Sequence, residues 1–280
     1  MYINEESLYY ICSKPESAMR TGSGRNLQET SFIMELLSNL TEKNLDKLGV
    51  LEDSLGYSFS DPGLLQLALI HRSFAFENDG RRDNDNERLE FLGDAVLDLA
   101  VGYALFVHYG EMREGELTRL RSMLVNESHL AEMAEKISLG KYILLGKGEE
   151  ASSGSRKPSI LSSAYEAVVG AIFHDGGYEA AKLFTEKHFF PILEGQRAKM
   201  HLADAKSRLQ ELTQERYNEA PVYVLEKEEG PDHQKTFTVA VQFRGRVLAH
   251  GKAGNKKEAE QKSAAEALVK FDEFDIPSNS

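Results

Sequence analysis

The sequence predicts an all-α domain followed by a small α+β domain of α-β-β-β-α order, and three observations carry that prediction. From Leu45 to about Gly195, long segments repeat apolar residues at helical spacing without any run of strand-like alternation. Past residue 204 the rhythm changes to one helical stretch, three alternating runs and a closing helical stretch. Between the two, Glu194–Ala205 is polar with a weak pattern, and residues 196–203 read as a linker.

Residues 1–44 lack sustained periodicity and read as a loosely ordered N-terminal extension, in which Met34 precedes a short amphipathic stretch and offers a second start. Within residues 45–195, helices are expected at Asp61–Ile70, Asn86–His108, Glu114–Glu135, Ser159–Phe173 and Tyr178–Leu193. The breaks between them contain Gly110, Gly140, Gly154 and the Gly176-Gly177 pair. The second domain, residues 204–273, begins with a helix at Ala205–Tyr217 and continues with strands at Val222–Glu228, Lys235–Phe243 and Arg246–Lys252. In the middle strand Phe237, Val239, Val241 and Phe243 point one way and Thr236, Thr238, Ala240 and Gln242 the other, the pattern of a half-buried strand. A helix at Lys256–Phe271 closes the domain, and residues 274–280 form a tail.

Composition narrows the function classes. With 280 residues and 41% hydrophobic content, the chain supports one or two domains with real cores. Cys12 is the single cysteine, which excludes a disulfide framework and a cysteine-based zinc site and agrees with a reducing, cytoplasmic setting. The first 30 residues lack the apolar core of a secretory signal, and no stretch approaches the roughly 18 apolar residues of a membrane span, so no membrane partner is expected. A net charge of −12 argues by itself against a polyanion as partner. The charge is unevenly spread, however: residues 204–273 hold 12 Lys and Arg against 13 Asp and Glu, which makes this part the place for polyanion contact.

The run Asn86-Glu87-Arg88-Leu89-Glu90-Phe91-Leu92-Gly93-Asp94-Ala95-Val96-Leu97 sets three carboxylates beside an apolar stripe. On a helix Glu87, Glu90 and Asp94 fall within an arc of roughly 60°, where like charges repel unless something compensates them. Glu166 is a second anomaly, a carboxylate inside the strongly apolar helical run Ala164–Phe173. Arg88 or Arg121 is a candidate salt-bridge partner for it. If the two helices pack face to face, Glu90, Asp94 and Glu166 converge on Mg²⁺, whose preference for carboxylate and water suits this set. The chemistry then available is metal-assisted attack of water on a phosphodiester. His71-Arg72-Ser73 ends an apolar helix and reads by itself as a helix cap with a surface arginine.

The C-terminal helix opens with Gly254-Asn255-Lys256-Lys257-Glu258, which has Asn at the N-cap and Glu three residues later. Two lysines beside free backbone N–H groups suit phosphate. The tight loop Gly230-Pro231-Asp232-His233, together with Ser207, Gln210 and Glu211 on one face of the preceding helix, completes a three-part surface.

These residues resemble a family. NERLEFLGDAVL at Asn86–Leu97, with His71-Arg72-Ser73 upstream and Glu166-Ala-Val-Val-Gly-Ala-Ile downstream, is similar to bacterial ribonuclease III over about Leu45 to Phe271. The resemblance implies an all-helical endonuclease domain working as a homodimer, then a double-stranded RNA-binding domain, without an organic cofactor. It also implies Mg²⁺-dependent hydrolysis to 5′-phosphate and 3′-hydroxyl ends, in the processing of ribosomal precursors and structured messenger or transfer RNA transcripts. Glu90 and Glu166 match metal ligands of the family, and Asp94 matches its catalytic aspartate. Glu87 matches a dimer-interface carboxylate, and Glu114 an acid near the substrate. Ser163 departs from the family's usual Asp; its neutral hydroxyl is a poorer ligand that is expected to weaken Mg²⁺ binding while activity is retained. In the second domain Ser207, Gln210, Glu211, His233, Lys256 and Lys257 resemble contacts that read two minor grooves of A-form RNA and grip phosphates between them. The alternative is a dimeric double-stranded RNA-binding protein whose centre is weakened by Ser163.

Overall fold

The computed structural model describes residues 27–79, 84–231 and 234–271, and its elements follow the capping and breaking residues of the sequence. Helices α1 (Leu27–Leu55) and α2 (Pro62–Ala68) lead in; Asp61 caps α2 by accepting from the Gly63 N–H at 2.8 Å. Helix α3 (Arg72–Asp79) is an addition to the expected set. Its cap is a histidine, because His71 Nδ1 accepts from the Ser73 N–H at 3.2 Å. His71 therefore starts a helix rather than ending one.

Helix α4 (Glu87–His108) agrees closely with expectation, whereas the single helix expected at Glu114–Glu135 is two, α5 (Glu114–Leu124) and α6 (Glu127–Lys136). The cause is Asn126, whose side chain accepts from the His129 N–H at 2.9 Å and so begins a new helix at its own position. A short α7 (Lys147–Ala151) precedes α8 (Pro158–Tyr217). Helix α8 breaks once, at Gly177, where φ of 74° requires a residue without Cβ.

Beyond that break α8 continues to Tyr217 through the stretch read as a linker. Residues 196–203 are helical, so the connection between the two domains is a helix: the stretch lacks Gly and Pro, and its Gln, Arg, Ala, Lys, Met and Leu favour helix. The expected N-terminal extension is also helical from Leu27 onward; residues 1–26 and 272–280 lie outside the described residues.

Three antiparallel strands follow in the order β1 (Val222–Glu229), β2 (Thr236–Phe243) and β3 (Arg246–Ala253), then α9 (Lys256–Lys270). Val241 and Phe243 pack with Ala205 and Leu209 of α8 and with Ala264 and Ala267 of α9, and Val239 packs with Ala259, so the β2 face read as apolar is the one that meets the helices. Gly251 lets α9 come close, since a Cβ there would lie 2.1 Å from the Ala259 carbonyl oxygen.

The large core lies in the helical domain around α4 and α8, which contribute Leu97, Val101 and Leu105 against Ala164, Ala167, Val168 and Ala171. Among the described residues α4 is long and apolar enough to cross a membrane, although no such run was expected. Its apolar composition serves two faces, one in this core and one outside it.

Candidate active site and nucleic-acid interface

Helices α4 and α8 approach one another at two glycines. A Cβ on Gly93 would sit 1.8 Å from the Glu166 carbonyl oxygen, and one on Gly170 would sit 2.1 Å from that of Leu89. Backbones in such contact bring nearby side chains of the two helices together: Glu90 and Asp94 on either side of Gly93 in α4, and Glu166 and Ser163, one and two turns before Gly170, in α8. The Ser163 hydroxyl donates to Glu90 Oε1 at 3.0 Å. Burial raises the Glu90 carboxyl above its ordinary range, and the Ser163 hydrogen bond opposes that rise. Burial, reinforced by the charges of Asp94 and Glu90, pushes Glu166 up to about 7. A carboxyl in that range changes protonation near neutrality, as a group handling a proton or awaiting a cation does.

Neither arginine considered as a partner neutralises Glu166. Arg121 lies 3.7 Å from Asp98, and among the described residues no ion pair joins Arg88 to Glu166. Among those residues, too, no three acidic or imidazole side chains gather tightly enough for a ready metal centre. The convergence expected of Glu90, Asp94 and Glu166 is thus one of mutual repulsion between neighbours rather than of a closed triad. Mg²⁺ does not demand a closed triad, because it usually keeps several waters and takes one or two carboxylates. The all-oxygen set fits it.

Beside Glu90 and Ser163 opens a cleft of about 870 Å³ lined also by His71, Arg72, Asp85, Glu87, Glu149 and Lys157. Glu87 is exposed and pairs with Arg72 at 3.5 Å. Ser73 Oγ ties this wall together, accepting from the Gly146 N–H at 2.9 Å while lying 2.8 Å from His71 Nδ1. Glu114 is not in the cleft lining; it starts α5 and accepts from Thr118 Oγ1 at 3.1 Å. Lys157 and Glu149 escaped the sequence reading, although Lys157-Pro158 is a helix-opening signal that pointed to this position.

In the second domain Asn255 caps α9 by accepting from the Glu258 N–H at 2.8 Å, as its spacing predicts. Lys256 and Lys257 stand exposed on that first turn. Ser207, Gln210 and Glu211 are exposed on the last turns of α8. Gly230, with φ of 97°, turns the chain out of β1, and His233 lies outside the described residues.

Residues 61–193 match the family model described as Ribonuclease-III-like, and residues 205–270 match the double-stranded RNA binding motif. Ribonuclease 3 of Desulfotalea psychrophila is 56% identical over 236 residues, which cover 84% of this chain and 98% of that protein. The chain belongs to the ribonuclease III family. Ribonuclease 3 of Syntrophobacter fumaroxidans is 48% identical over 81% of this chain and 95% of its own. Among solved structures, the nuclease domain of ribonuclease III from Campylobacter jejuni is 48% identical, covering 50% of this chain and 96% of that one with a TM-score of 0.46. Membership of the ribonuclease III family, with its appended RNA-binding domain, makes this chain an endoribonuclease for double-stranded RNA.

Proposed function

We propose that the chain hydrolyses phosphodiester bonds of double-stranded RNA with Mg²⁺, leaving 5′-phosphate and 3′-hydroxyl ends, as a cytoplasmic homodimer. Its substrates in this reading are ribosomal RNA precursors and structured messenger and transfer RNA transcripts. One observation carries it: Glu166 is packed beside Asp94 and Glu90, with no hydrogen bond or ion pair to a protein group among the described residues, and its carboxyl is raised to about 7. An anionic cluster left in that condition has a cation as its natural complement.

Glu90, Asp94 and Glu166 would hold the ion with water completing its shell, and Ser163 would act on it through Glu90. When bound, Mg²⁺ supplies polarisation of the phosphoryl group and a lowered pKa for the attacking water. The protein's own groups do the rest. Ser163 fixes one Glu90 oxygen, and Glu166 is poised to hold or release a proton at its carboxyl. Ser207, Gln210, Glu211, His233, Lys256 and Lys257 would seat the duplex, with Glu114 near it. No organic cofactor and no membrane enter this reading.

A second copy of the chain is the occupant assigned to the outer face of α4. Phe91, Leu99, Tyr103 and Phe106 share one stripe there, and Phe91 is 81% exposed. Glu87, exposed on the same helix, would lie at the edge of that contact.

The deciding experiment incubates a long RNA duplex with the protein, with and without Mg²⁺, beside Glu166→Ala. Fragments are expected with metal and intact Glu166 only. A duplex that is bound yet never cut would instead establish the weakened RNA-binding reading that Ser163 suggests.

A further inference from the structure

The cleft beside Glu90 is predominantly acidic, since Asp85, Glu87, Glu90 and Glu149 line it against only Arg72 and Lys157. A polyanion entering it meets repulsion except where those two cations stand. Arg72 is 70% exposed and already turned to Glu87. Lys157 sits deeper, directly before the first residue of α8, with its Nζ bonded to the Glu149 carboxylate and to Ser152 Oγ at 3.0 Å. Those partners use two of the three donors of an ammonium group, leaving one.

Lys157, at the N-cap of α8, precedes Ser163 by six residues, about 9 Å along the helix axis, over which a nucleic-acid strand presents more than one phosphate. We propose that Lys157 is a positioning residue for the RNA backbone: it exchanges Glu149 for a phosphate next to the one cut, and Glu149 sets how readily it does so. The proposal rests on the hydrolytic reading of the Glu90–Glu166 centre. It adds a phosphate subsite on the nuclease domain, separate from the Lys256-Lys257 turn.

The two partners give the test its discrimination. Lys157→Met and Glu149→Gln break the same ion pair, so a purely structural role predicts that both shift KM the same way. A phosphate role predicts opposite shifts, because Glu149→Gln frees the lysine that Lys157→Met removes. Full-length protein is assayed on one RNA duplex for kcat, KM and the salt dependence of binding, the last without divalent metal so that the duplex stays intact. Lys157→Met is expected to raise KM by about fivefold and to reduce the salt slope by about one, with Lys157→Arg near wild type. Glu149→Gln is expected to lower KM by about twofold, with its salt slope no smaller than wild type.

KM shifts of the same sign, or an unchanged salt slope in Lys157→Met, would overturn the proposal. If Lys157→Met does not fold, Glu149→Gln still decides, because an unchanged or raised KM refutes the exchange. Wild-type protein that binds the duplex but leaves it whole in Mg²⁺ would defeat the hydrolytic reading instead. The salt slopes, measured on uncut duplex, would then still decide whether Lys157 meets phosphate.

Discussion

Glu166 holds a charge at the centre that changes near neutral pH. Its carboxyl stands at about 7 in the fold and near its ordinary value in the unfolded chain, so the unfolded state binds fewer protons between those limits. Stability from this group is therefore full below the unfolded pKa and is lost as pH rises through about 7. Glu166→Gln removes the titrating charge. Without divalent metal it should raise Tm at pH 8 by roughly 2–4 °C and leave Tm at pH 4 nearly unchanged, as scanning calorimetry would record. An equal gain at both pH values would mean that Glu166 is not strained by its neighbours. Ser163 gives a second prediction. Ser163→Asp adds a carboxylate beside Glu90 in place of a hydroxyl donor, and should lower the Mg²⁺ concentration for half-maximal cleavage by about tenfold. An unchanged half-saturation would remove Ser163 from the account of metal affinity.

Helices α4 and α8 owe their separation to the absence of two Cβ atoms. Gly93→Ala would drive a methyl into the Glu166 carbonyl, and because the obstacle is backbone the helices must part. The expected cost is about 3 kcal/mol or more, measured by urea unfolding, together with loss of cleavage as Glu90 and Asp94 leave Glu166. Gly115→Ala in α5 is the control. Nothing lies within 4 Å of its added Cβ, so the gain in helix propensity of up to about 1 kcal/mol should leave stability equal or higher.

At the scale of the whole molecule, the outer stripe of α4 is the surface on which the proposed dimer rests. Phe106 is 68% exposed on the same face as Leu99 and Phe91. Phe106→Asp should shift sedimentation velocity from dimer toward monomer while the helical content persists, since the residue lies outside the core. A wild-type protein that sediments as a monomer at micromolar concentration would refute the dimer. The two domains meet along α8 and α5 through Arg119–Asp204 and the longer Arg208–Glu116 pair at 4.0 Å, exposed contacts of small net value.

The sequence by itself determined the order of elements in the second domain, the helical character of the first, and the two acidic anomalies Glu90–Asp94 and Glu166. Those readings rest on local causes: alternation in β2, the cap at Asn255, and charges set in apolar runs. What it misjudged locally was also polar. Asn126 and His71 acted as caps inside or beside an apparent helix, and the stretch at 196–203 folded as helix despite its weak pattern. Only the tertiary structure decided that Ser163 bonds to Glu90, that no arginine among the described residues pairs with Glu166, and that Lys157 shares the cleft of Glu90 and Ser163. Those facts depend on the crossing of two helices far apart in the chain, and the distance of that crossing is fixed by Gly93 and Gly170 meeting backbone to backbone, a contact that no single segment encodes.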